Sequence, residues 1–153
     1  MTPRDRSHDA ATARDLLAFI DASPSPWHAV ANAVARLESQ GFVRLDEAER
    51  WKLAPGGRYF VTRGASLITF VQGARPLVDA GLRLIGAHTD SPGLRVKPQA
   101  AGETDGLLRL AVEVYGGPIL ATFSDRDLGL AGRVVVRTAD GQAEVLSGLK
   151  VGD

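Results

Sequence analysis

The 153-residue sequence contains no cysteine. That absence rules out disulfides, thiol nucleophiles and thiolate metal sites, and it leaves His, Asp and Glu as the strong metal ligands. Charge of one sign is also missing: Lys plus Arg and Asp plus Glu both number 18. No net field therefore draws the chain toward nucleic acid or an anionic membrane. No apolar run approaches the roughly 20 residues of a membrane span. The opening "MTPRDRSHDAATARD" is charged where a signal peptide has its apolar centre. The expected location is cytoplasmic, with neither nucleic acid nor membrane as a partner. Finally, the sequence holds no P-loop, dinucleotide fingerprint, nucleophile elbow or H-E-x-x-H helix.

What is present suits a soluble α/β chain. Apolar residues make up 44% and charged residues 24%, and a domain of this length buries roughly 70% of the surface its unfolded form exposes. Ala13, Leu16, Leu17 and Ile20 recur at helical spacing, which predicts a helix over residues 10–22 that "SPSP" ends. In the next helix Ser25 caps, Pro26 takes the first position, Trp27, Val30, Ala31, Val34 and Leu37 form a stripe, and Gly41 closes. Asp46 and Glu49 have capping-box spacing and predict a short helix through Trp51.

From Arg58 the period becomes that of strands. "RYFVTR" and "SLITFVQG" flank "GA" and predict a hairpin, and "GLRLIGAHTD" reads as a third strand covered on both faces. After Pro98, "QAAGETDG" reads as a loop. "LLRLAVEVY" alternates strictly, as an antiparallel strand with one wet face does, and "RVVVRTADGQAEVLSG" predicts a hairpin turning near Asp140 and Gly141. A boundary is expected near residue 98, with residues 1–97 beginning an α/β layer and residues 98–153 beginning a β-rich unit. The close at "GLKVGD" reads as an interrupted protein.

Few residues here carry chemistry. His88 follows Leu84, Ile85, Gly86 and Ala87, so it is expected at the carboxyl end of a buried strand, where open α/β sheets bind ligands. In extended backbone Asp90 shares its side, and a carboxylate there can orient an imidazole or a metal centre. By spacing alone, a histidine satisfied at a strand end remains the plainer reading. His8, expected in an unstructured terminus, and His28, in a first helical turn, have no partner at ligand spacing. Asp125 and Asp127 around Arg126 read better as a solvated, ion-paired turn than as a pair of acid–base carboxylates. "YGGP" reads as a bend before it reads as an oxyanion cradle.

Taken in order, "SPSPWHAV", "YFVTRGASLITF", "IGAHTDSPGLRVKP", "EVYGGPILATF" and "DRDLGLAGRV" resemble the amino-terminal part of the aspartyl aminopeptidase family. These are cytosolic zinc exopeptidases that remove amino-terminal, typically acidic, residues from peptides. The resemblance covers most of residues 14–138. It implies a two-zinc α/β peptidase fold interrupted by a β-rich assembly domain, and a homo-oligomer that is a dodecamer in the family. By position, His88 matches the family's first zinc-ligand histidine and Asp90 the catalytic-centre acid that orients the metals. The family's other ligands and its glutamate general base are expected beyond Asp153, which implies that this chain alone is inactive. Phe123 and Ser124 stand where the family usually has an aromatic pair. A different class of function, a β-rich interaction module whose strands from residue 107 onward pair with other chains and whose His88 is vestigial, is the alternative.

Overall fold

The computed structural model describes residues 6–140 and 143–151. Helix α1 spans Arg6–Asp21 and α2 spans Pro26–Ser39. Ser25 caps α2: its Oγ accepts from the His28 backbone N–H at 3.5 Å and lies 2.7 Å from His28 Nδ1. At the other end Gly41 takes φ +78, its N–H reaches the Glu38 carbonyl and the Phe42 N–H reaches that of Leu37, both at 3.0 Å. This paired pattern satisfies carbonyls the helix leaves open and brings Phe42 back toward Leu37. Asn32 of α2 donates through Nδ2 to the Ala22 carbonyl at 2.7 Å, just past the end of α1.

The core forms where α2 meets a three-stranded sheet. Strand β1 (Val43–Arg44) runs parallel to β2 (Arg58–Arg63), which pairs antiparallel with β3 (Ser66–Val71) in the order β1-β2-β3. The expected hairpin is present, with Arg63 opposite Ser66 and Gly64 at φ +58 making the tight turn. Val30 and Val34 of α2 pack on Phe60, which is 0% exposed, and Leu37, Phe42 and Leu67 surround them. Burying a side chain of that kind stabilises by roughly 1.5–3 kcal/mol. Gly57 is required beside it, because a Cβ there would run into the Tyr59 ring and hydroxyl.

Several expectations need correction. Residues from Asp46 to Trp51 form a turn, not a helix: the Asp46 side chain accepts from the Ala48 N–H at 2.9 Å, and Trp51 Nε1 donates to the Asp46 carbonyl at 2.7 Å. An aspartate that bonds the backbone two residues on closes a turn instead of starting a helix. Residues Gly81–Asp90, expected as a buried strand, have no ladder among the described residues, and Ile85 is 99% exposed. An apolar run becomes a covered strand only when neighbouring strands and helices supply partners and cover. The stripe Leu16, Leu17 and Ile20 of α1 is likewise exposed. A short helix, α3 (Leu77–Ala80), precedes the Gly81–Asp90 segment.

Two further hairpins follow. Strand β4 (Gly93–Thr104) pairs antiparallel with β5 (Leu107–Tyr115) around Asp105 and Gly106, both at positive φ. The stretch "QAAGETDG", expected as a loop, is thus mostly strand. A register shift between Val96 and Ala101, with Gln99 at φ 55, absorbs the extra residues around Pro98. Contrary to the expectation of one wet face, both faces of β5 are open and Leu108 is 90% exposed. Strands β6 (Leu130–Arg137) and β7 (Ala143–Val151) form the expected antiparallel pair. Asp140 lies in its connection, while Gly141 lies outside the described residues. The chain divides into two compact units, one running to Thr89 and resuming at Leu130–Val151, the other formed by Asp90–Gly129.

Candidate metal centre

His88 lies on an exposed, ladder-free segment. Thr89 Oγ1 donates to the Ala65 carbonyl at 2.8 Å, pinning the end of this segment to the β2–β3 turn. The division between compact units falls between Thr89 and Asp90, so His88 belongs to the first unit and Asp90 to the second.

In the second unit Asp90 is half-buried and accepts, through Oδ2, a hydrogen bond from the Tyr115 hydroxyl. Tyr115 is the last residue of β5 and faces Gly93 across the ladder. With no side chain opposite it, the ring has room beside the "DSPG" segment. Arg95, diagonal to Tyr115 in the same register, places its guanidinium 4.1 Å from the ring centre. Gly116 follows at φ +69, and a Cβ there would meet Pro92 Cβ at 3.2 Å. The backbones of "DSP" and "YGG" thus approach as closely as glycine permits. The Asp90 hydrogen bond and its negative charge raise the Tyr115 pKa above the ordinary 10.0.

The other singled-out groups behave structurally. His28 engages the α2 cap. His8, expected in an unstructured terminus, lies within α1. Arg126 Nε and Asp125 Oδ1 form an exposed ion pair at 3.2 Å, the solvated turn that sequence favours. Gly116 and Gly117 make the bend of "YGGP". Tyr115 is the residue that sequence reasoning missed. Its signal was available as an aromatic closing an alternating strand directly before two glycines, but its partner lies 25 positions away.

An imidazole and a carboxylate are donors that suit zinc, and no thiol competes with them. Among the described residues, however, no three His, Asp or Glu side chains come together to hold a metal ion. His88 and Asp90 therefore fit a zinc centre in kind and fall short of one in number.

The mixed α/β arrangement with small sheets is shared with metallo-aminopeptidases of known structure. The chain is similar to that in a cryo-EM structure of the Ape4 and Nbr1 complex, with TM-score 0.83 and 38% identity over 99% of this chain and 29% of that one. It is also similar to the S. cerevesiae mApe1 dodecamer, with TM-score 0.80 and 27% identity over 91% of this chain and 33% of that one. A probable M18 family aminopeptidase 2 from Ectopseudomonas mendocina (strain ymp) is 53% identical over 130 residues, 84% of this chain and 30% of the relative. The family of aminopeptidase I zinc metalloproteases, M18, matches residues 19–149. The chain belongs to that family. It spans about 30% of the length of the curated relatives it matches.

Proposed function

We propose that this chain is the amino-terminal portion of a zinc aminopeptidase that removes acidic amino-terminal residues from peptides in the cytoplasm. The observation that carries the reading is the family match across residues 19–149, which takes in both His88 and Asp90. In this reading His88 supplies one imidazole ligand to a two-zinc centre, and Asp90 orients it through its carboxylate. The remaining ligands and the general base come from residues outside these 153. Zinc, when bound, supplies Lewis acidity toward a peptide carbonyl and acidifies water. This chain contributes the binding and orientation of one corner, and the 153 residues alone do not hydrolyse peptides.

The same reading assigns residues 1–97 to the α/β peptidase domain and residues 98–153 to the start of a β-rich assembly domain. The similar S. cerevesiae mApe1 is a dodecamer, and the exposed apolar face of β5 suits association of copies of this chain. The absence, among the described residues, of a helix long and apolar enough to cross a membrane is in keeping with a cytoplasmic enzyme. The test is a peptidase assay on the complete reading frame, with aspartyl, glutamyl and neutral aminoacyl substrates, alongside zinc analysis. Zinc-dependent release of acidic residues is expected. A zinc-free protein, or one that prefers neutral residues, refutes the corresponding part.

A further inference from the structure

We infer that Tyr115 is a positioning residue for Asp90, holding its carboxylate in one orientation through a phenol donor and so steadying the part that Asp90 takes in the proposed centre. The inference rests on the assignment of Asp90 to that centre.

Asp90 sits in irregular chain between Thr89 and the start of β4 at Gly93. No ladder restrains it there, and an aspartate side chain turns easily about its own bonds. The Tyr115 hydroxyl restrains the carboxylate by donating to Oδ2. A phenol is well suited to this, because its ring leaves only two torsions to hold still. Gly93 lies opposite in the ladder and Arg95 covers the ring face at 4.1 Å. Gly116, at φ +69 and against Pro92, sets how near the two segments come. An ionised carboxylate has about four acceptor positions, so one phenol bond leaves it able to accept from other donors.

The opposing account makes this bond a structural clasp between two loops, with no effect on the metal. Tyr115→Phe in the complete peptidase separates them, because it keeps the ring and the Arg95 guanidinium over its face and removes the hydroxyl that donates to Asp90. It is compared with Asp90→Asn and with the double variant, reading zinc affinity by chelator competition, kcat, KM and melting temperature. The expected result for Tyr115→Phe is a tenfold to hundredfold loss, roughly the range for groups that orient metal ligands, in zinc affinity, kcat or both, with KM little changed. The double variant should be no worse than Asp90→Asn, since Tyr115 acts through Asp90.

Losses that multiply in the double variant would overturn the inference. So would a lowered melting temperature with zinc affinity and kcat intact, which marks a clasp only. If Asp90→Asn costs zinc or rate while Tyr115→Phe costs neither, the inference fails and the assignment of Asp90 stands. If Asp90→Asn is silent while His88→Ala loses zinc, Asp90 leaves the centre and Tyr115 leaves with it.

Discussion

The contact of α2 with β2 and the β4–β5 hairpin are built from similar material and end differently. Both carry apolar residues at regular spacing. In the first region Val30 and Val34 find Phe60 and the cluster closes. In the second, Leu108, Leu110, Val112 and Val114 stay exposed while the hairpin keeps its register. The hairpin is defined by its turn, where Asp105 and Gly106 adopt positive φ, and by the irregularity around Pro98. A β-hairpin can thus be specified locally without a core, whereas the helix–sheet contact exists only because its apolar faces meet. The contrast also separates the two candidate site residues, since His88 hangs from the closed region and Asp90 from the open one.

The sharpest way to break the comparison is to remove what closes the first region. Phe60→Ala should cost about 3–5 kcal/mol, because it deletes a fully buried ring from the cluster. Denaturant unfolding measures this, and a cost below about 1 kcal/mol would mean that the cluster does not hold the region together. Next in size, in the complete peptidase of the proposed function, His88→Ala should lower zinc affinity and turnover more than about a hundredfold, beyond the range for groups that merely orient ligands. Unfolding should hardly change, because His88 is exposed. Near-normal zinc content in that variant would remove His88 from the metal role.

Smaller effects sharpen the contrast. Ser25→Ala should cost about 1 kcal/mol through loss of the α2 cap, read as a lower denaturation midpoint. Leu108→Thr should shift stability by less than about 0.5 kcal/mol, as an open position allows. A clear destabilisation that grows with protein concentration would instead reveal a partner covering β5.

The open region also predicts a pH effect. Tyr115 is raised above 10.0, first by its bond to Asp90, so its contribution to stability is fully present below the unfolded value and is lost as pH rises through the folded one. Ultraviolet titration, taken as the difference from Tyr115→Phe, should place its ionisation above pH 10. In Asp90→Asn the transition should move back down, and an unmoved transition would mean that Asp90 is not its cause.

Much of this was legible in sequence where the signal is short-range. Ser25, Pro26 and Gly41 bounded α2 because caps are chosen by backbone geometry within a few residues. Gly64 and Ala65 marked the β2–β3 turn for the same reason. The misreadings share the opposite cause. Gly81–Asp90 has the composition of a covered strand, yet a ladder needs other strands, and composition cannot supply them. At Asp46, two local signals competed, and the side-chain turn prevailed over the capping box. His88 and Asp90 were singled out by spacing and by the strings around them. Tyr115 was not, because nothing near it in sequence announces Asp90.

By itself the sequence determined the α2 caps, the two-residue turn at Gly64, the pairing of β6 with β7 and the family to which "AHTDSPGLRVKP" and "EVYGGP" belong. Each depends on contacts between near neighbours or on strings long enough to be specific. Only the tertiary structure decided that the apolar run before His88 lies open, that Phe60 is the centre of the core, and that "DSP" and "YGG" close on one another. Those outcomes depend on which distant surfaces meet, and the Tyr115 hydroxyl on Asp90 is where that meeting reaches the candidate site.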